Sequence, residues 1–242
     1  MEAMEDAMKW RKMYACGLLF ILPWTAGAAA AETSGLAGDN NRGPYIAIDL
    51  SAGAPNDPVA DGVYEADLGF EAGLRLGMGY AFEGLRLEGQ IGYENFYLNN
   101  VNPLPGSPLS EADTTGDLSG PVIMANLLYD FGAPGGSRPF LGGGIGFARM
   151  KADYHGFYCS IFTLQCWDGE QVVGGSDTVM VWQAMAGLST PMSSGNGEWY
   201  IGYRYFGSND IELNVIGYGP VTQEGVQAHS LMLGWRWQLP TY

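Results

Sequence analysis

From about residue 44 onward the chain alternates apolar positions with polar or small ones, two residues to the period. The pattern is clearest at 64–82, where Leu68, Phe70, Ala72, Leu74, Leu76, Met78 and Tyr80 alternate with Gly69, Glu71, Gly73, Arg75, Gly77 and Gly79. It returns at 231–239, with Leu231, Leu233, Trp235, Trp237 and Leu239 on one side and Met232, Gly234, Arg236 and Gln238 on the other. This is the signature of a strand whose two faces meet different media. One such strand fits a soluble sandwich as well as a barrel set in lipid, so the decision rests on the whole set. The alternation predicts eight strands, at about 44–54, 64–82, 85–98, 121–131, 140–152, 178–190, 198–207 and 226–239. Long connections (55–62, 99–120, 153–177 and 209–225) take turns with short ones (83–84, 132–139 and 191–197). Outer-membrane barrels have this asymmetry, with short periplasmic turns and longer external loops. Eight strands close a barrel narrow enough to be filled by its own side chains. Closure also removes the strand edges that lipid would not tolerate. The predicted fold is all-β, an eight-stranded antiparallel, up-and-down transmembrane β-barrel over residues 44–242.

Composition supports this reading. The chain has 37 glycines, 13% aromatic residues and only 15% charged residues, which suits tightly curved sheet better than helix. No apolar run in the body of the chain is long enough for a spanning helix. The net charge of −15 argues against nucleic acid as a partner. At the N-terminus, Lys9, Arg11 and Lys12 precede an apolar stretch at 13–27 and the small residues Ala29, Ala30 and Ala31. Residues 1–31 therefore read as a secretory signal peptide cleaved before Glu32, with 32–43 a short periplasmic leader. The acidic residues ahead of Met8 are unusual for a signal and are explained if translation starts at Met8. Cleavage removes three basic and three acidic residues (Glu2, Glu5, Asp6), so the mature charge stays −15. It also removes Cys16. Cys159 and Cys166 remain, and in an oxidising compartment they are expected to form one local disulfide around Ile161, Phe162 and Leu164.

Three stretches carry a family resemblance: F-L-G-G-G-I-G-F at 140–147, E-W-Y-I-G-Y-R-Y-F at 198–206 and H-S-L-M-L-G-W-R-W at 229–237. With them the chain resembles the small eight-stranded outer-membrane proteins of the OmpA-like and opacity-type surface-antigen family. The likeness covers nearly all of 44–239, by pattern more than by sharp motif. It implies the outer membrane of a Gram-negative-type cell as location, and outer-membrane lipid and lipopolysaccharide as surroundings. It also implies insertion by the barrel-assembly machinery, which reads an aromatic residue ending the last strand. Tyr242 is such an aromatic, but Pro240 should interrupt the strand before it. The chain ends with strand eight, so no wall-anchoring periplasmic domain is expected.

The inward faces of the predicted strands carry Asp49, Glu71, Arg75, Arg86, Glu88, Glu94, Asp130, Arg204 and Arg236. Isolated charges in a narrow lumen would be too costly, so a plug of paired arginines and carboxylates is the preferred reading. An ion path and wet rims are the alternatives. Glu88 and Asp130 are the candidate partners for Arg236. A hydrolase would need a nucleophile, a histidine and a carboxylate. The two histidines do not supply that set: His155 falls in a loop, and His229 and Ser230, adjacent on a strand, face opposite ways. No catalytic residue, metal site or cofactor is assigned. The expected role is non-catalytic and structural or surface-interacting: membrane integrity, adhesion or antigen display, with a host or surface ligand at the external loops. A narrow pore for small solutes is the alternative, and a lipid-modifying hydrolase a more distant one.

Overall fold

The computed structural model describes residues 42–107, 109, 114–132, 136–160, 165–193 and 197–240. The predicted signal, most of the leader, Ile161, Phe162, Leu164 and Tyr242 lie outside these residues. Among the described residues the chain is all strand: β1 (Gly43–Pro55), β2 (Val59–Ala60), β3 (Tyr64–Phe82), β4 (Leu85–Pro103), β5 (Thr115–Asp130), β6 (Arg138–Ser160), β7 (Gln165–Pro191), β8 (Gly197–Ser208), β9 (Ile211–Val215), β10 (Gly219–Gln223) and β11 (Gln227–Gln238). Eight of them, β1, β3, β4, β5, β6, β7, β8 and β11, pair antiparallel in an unbroken circuit closed by β1 against β3 and β11 against β1. This is the predicted eight-stranded barrel.

The apolar face of each strand points out. Met78, Ile91, Ile123, Ile145 and Leu231 are each about 60–70% exposed, which only a lipid surrounding makes tolerable. Aromatics gather at the short-turn end, where Tyr80 meets Phe82 at a tilt (ring centroids 4.6 Å apart) and Tyr129 meets Phe131 edge-on (4.9 Å), alongside Trp199 and Trp237. Such rings mark a membrane interface. The turn after β3 has positive φ at both central residues, Glu83 and Gly84, the two-residue geometry that matches strand twist. Inside, Gly234 lies opposite Tyr200, and a side chain at 234 would run into the tyrosine ring.

At the other end the structure departs from the expectation. Much of the predicted loops is strand. β4 continues to Pro103, β5 starts at Thr115, β6 and β7 extend as one hairpin to Ser160 and from Gln165, and 209–225 holds the β9–β10 hairpin. His155 is therefore on β6, not in a loop. These extensions form a second closed circuit. β3 to β7 continue upward, while β9, β10 and β2 take the places held below by β8, β11 and β1. Asn209 N donating to Met180 O (2.9 Å) and Ala66 N donating to Pro58 O (2.9 Å) close the seams between the two circuits.

The external ring is built the other way round from the membrane ring. Its interior is a hydrophobic core that includes Tyr64, Phe96, Leu118, Met150, Tyr154, Ile211, Leu213 and Val221. Leu68 belongs to it too and is 3% exposed, although simple alternation from Phe70 places it on lipid. The reason is a β-bulge. Leu68 pairs with Leu98 and Phe70 with Tyr97, so Gly69 has no partner and the strand changes phase there.

The charged lumen as candidate functional site

Each predicted lumen residue is buried: Asp49, Glu71, Arg75, Arg86, Glu88, Glu94, Asp130, Arg204 and Arg236 are all at most 7% exposed. They lie inward because each sits in phase with the small or polar positions of its strand. They form three connected groups rather than one.

The largest group lies just below the external ring. Arg204 on β8 donates to Glu94 Oε1 (3.0 Å), to Glu71 Oε1 (2.7 Å) and to Ser51 Oγ (2.8 Å). Glu71 also accepts from Ser51 Oγ (3.0 Å) and Ser230 Oγ (2.5 Å). Arg75 pairs with Glu94 and donates to Asp49 (3.2 Å), its direct cross-strand partner. Gln90 Nε2 donates to Asp49 (3.2 Å) and to Glu88 (2.9 Å), and Gln183 Nε2 donates to Gln90 (3.1 Å) and Asn126 (2.7 Å). Towards the short-turn end, Arg86 pairs with Asp130 at 2.7 Å. A third group joins Arg138 and Arg236 through the two oxygens of Glu198. Aromatic rings cover three of the guanidiniums: Phe140 over Arg86, Phe206 over Arg204 and Tyr45 over Arg236, each at 5.5 Å. Together the three groups join all eight strands of the membrane ring from within.

Arg236 pairs with Glu198, not with Glu88 or Asp130. Glu198 stands directly opposite it on the neighbouring strand, a relation set by register. Glu88 makes no ion pair among the described residues and is held by Gln90. Alternation alone missed two members. Arg138 falls in the short connection 132–139 by alternation, but it begins β6 and is 2% exposed, and Glu198 is its partner. An arginine two positions before Phe140, in phase with the inward glycines at 142, 144 and 146, was the available signal. The plug thus holds five arginines and six carboxylates. The void at mid-barrel, lined by Asp49, Glu88, Gln90 and Tyr200 among others, measures about 10 Å³. That is room for about one water.

Among the described residues, no hydrolase set assembles around the histidines. His229 faces outward and meets Tyr203 Oη (2.5 Å), while Ser230 points inward to Glu71. His155 uses both ring nitrogens, one towards Gly169 O (3.1 Å) and one towards Asp153 (3.0 Å). At the tip of the β6–β7 hairpin the backbone register sets Cys159 directly opposite Cys166, and Cys166 is disulfide-bonded.

Residues 19–238 match the family of the outer membrane protein beta-barrel domain. No curated protein sequence matches. Among solved structures the chain is similar to OprG from Pseudomonas aeruginosa, with 14% identity, 82% of this chain and 98% of that chain covered, and a TM-score of 0.54. It also overlays Neisserial surface protein A (17% identity, 81% and 97% covered, TM-score 0.49). A third is Ail, the attachment invasion locus protein of Yersinia pestis (17% identity, 82% and 99% covered, TM-score 0.44). At such identities the likeness is one of fold.

Proposed function

The chain belongs to the outer-membrane β-barrel family, and on that premise we propose that it is a sealed, non-catalytic barrel whose work is done at the external surface. The observation that carries this reading is the joining of a filled lumen to a folded external ring. Ion-paired side chains span the barrel, and the void at mid-barrel beside Asp49 and Glu88 measures about 10 Å³. Above them, the apolar core of the external ring closes the axis a second time. A barrel closed twice is suited to carrying a rigid surface. The outside of the external ring offers acids and amides such as Glu65, Asn102, Asp117, Glu170, Glu212 and Glu224, and a surface with that pattern suits recognition of an external partner. Insertion through the C-terminal strand by the assembly machinery belongs to the same proposal.

Conductance of the refolded protein in planar bilayers tests the sealed state. No steady channels are expected from the parent. Opening the plug alone, with Arg204→Ala together with Glu94→Ala, should leave the axis closed by the external core. Steady conductance from the parent would favour the narrow pore instead.

A further inference from the structure

Where the membrane ring hands over to the external ring, the sheet splits on one side. β8 ends at Ser208 and β9 begins at Ile211; β10 ends at Gln223 and β11 begins at Gln227. The two links run side by side. Ser208 N donates to Val226 O (2.9 Å), Val226 N to Ser208 Oγ (3.0 Å) and Gly225 N to Asp210 Oδ1 (3.0 Å). Gln227 N donates to Asn56 Oδ1 (2.7 Å), which ties in the segment after β1. The split leaves an outward hollow of about 710 Å³, lined by Trp182, Asn56, Asn209, Asp210, Glu224 and Gln227 among others.

One wall of the hollow is flat and aromatic. The Trp182 indole lies across Gly207, its cross-strand partner, and a Cβ at 207 would run into the ring. The rim is acidic. Asp210 and Glu224 are exposed there, steadied by Gly225 N and, at 3.5 Å, by Val59 N. A carboxylate accepts up to about four hydrogen bonds, so both keep capacity for a ligand. Just below, the rings of Tyr205 and His229 lie 5.3 Å apart on the outward face, and Tyr205 Oη donates to Gln227 Oε1 (3.0 Å). Aromatics of this kind mark the membrane interface, so the hollow opens on the water side.

The surroundings share its sign. Among the described residues, the cations outside the lumen are Arg42, Arg149 and Lys151; Arg42 pairs with Glu83 and Lys151 with Asp153. Against them, Asp61, Asp168, Glu170 and Glu212 are exposed in addition to the two rim carboxylates. Such a surface draws in polycations and repels anions. A metal ion would have no use for the indole, and among the described residues no group of three or more His, Cys, Asp or Glu is placed to hold one. A guanidinium uses every part of the hollow. Its flat face stacks on an indole, and its five donors reach carboxylates and amides.

We propose that this hollow receives an arginine side chain of a cationic polypeptide partner. The guanidinium stacks on Trp182 and is bound by Asp210 and Glu224, while the acids around the external ring hold the partner's other positive charges. The site rests on the reading that the barrel works at its external surface, and it names the chemistry of what that surface recognises.

Fluorescently labelled hexa-arginine and hexa-lysine peptides serve as probes. Each is titrated by anisotropy against the refolded full chain in zwitterionic detergent at about 0.15 M salt, where diffuse attraction is screened. Hexa-arginine should bind the parent more tightly than hexa-lysine. Trp182→Leu should weaken hexa-arginine binding about fivefold. The double variant Asp210→Asn, Glu224→Gln should weaken it at least about tenfold. A control, Asp168→Asn with Glu170→Gln, removes the same charge about 40 Å further along β7 and should cost less than about threefold. Heat-modifiable migration checks the fold of each variant, and the double rim variant, wholly exposed, decides alone if Trp182→Leu fails to fold. No binding of hexa-arginine by the parent, equal binding of the two peptides, or equal weakening by the rim and control variants overturns the site. Conductance tests the sealed barrel separately, so a sealed parent that ignores hexa-arginine loses the site and keeps the proposed function.

Discussion

The membrane ring and the external ring share five strands, β3 to β7, and bury opposite kinds of side chain. β4 shows the change within one strand. Its inward face carries Arg86, Glu88, Gln90 and Glu94, then Phe96 and Leu98, with no break in alternation between Glu94 and Phe96. The face is constant and only its chemistry changes. The cause lies outside the barrel. Where lipid covers the outer face, apolar side chains gain nothing by turning inward, so the lumen is free to be polar and is held by ion pairs and hydrogen bonds. Where water covers the outer face, the hydrophobic effect drives the same inward positions to be apolar. The level of Glu94 and Phe96 is therefore a chemical mark of the outer membrane boundary on the inside of the protein.

The largest effect is expected from Arg204→Met. This leaves Glu71 buried with only serines as partners, and losing one side of a buried network costs about 3–5 kcal/mol. Unfolding by guanidinium in lipid vesicles measures the loss, and adding Glu71→Gln should recover much of it. No recovery would mean that the plug does not act through charge pairing.

Leu213→Ala in the external ring should cost about 2–5 kcal/mol, because Leu213 is 1% exposed and its removal leaves a cavity. The damage should stay local. Protease should cut the external ring of the variant while heat-modifiable migration of the barrel persists. Simultaneous loss of both would show that the two rings unfold as one unit.

Outward substitutions separate the two surroundings. Leu233→Arg puts a charge on the lipid face of β11 and should cost about 2–4 kcal/mol in vesicles. Glu212→Arg makes an outward charge change in the external ring, where water already covers the face, and should stay within about 0.5 kcal/mol. Similar costs for the two would put the external ring inside the bilayer.

The smallest effect concerns the outer surface of β6. His155 can satisfy both Gly169 O and Asp153 only when both ring nitrogens carry protons, so its pKa is raised, chiefly by the Gly169 carbonyl, then by Asp153. Asp153 is held below the usual carboxylate range by its hydrogen bond from Lys151, with His155 adding to it. A raised histidine pKa means that any stabilisation is present in acid and lost as pH rises through the folded-state value. Titration of the His155 ring by NMR should give a midpoint above about 6.5, the ordinary value, and Asp153→Asn should lower it. A midpoint at or below the ordinary value would remove the paired geometry.

The sequence by itself determined the strand count of the membrane ring, the inward and outward faces, and the identity of nine lumen charges. Period-two alternation is local, and each residue reports its own face without reference to any other strand. Tertiary structure alone decided the pairings. Arg236 meets Glu198 because β8 and β11 align those residues, and register is a relation between strands that no single strand encodes. The external ring stayed hidden for a related reason. Ile211, Leu213 and Val215 alternate with Glu212 and Asn214 as clearly as many membrane strands do. Their run is short and sits among loop-forming residues, and it becomes a ring only where β9 meets β7 and β10 meets β2. The bulge at Gly69 is likewise a relation between strands. An unpaired residue shifts the phase of Leu68 into the core, and it is unpaired only with respect to β4.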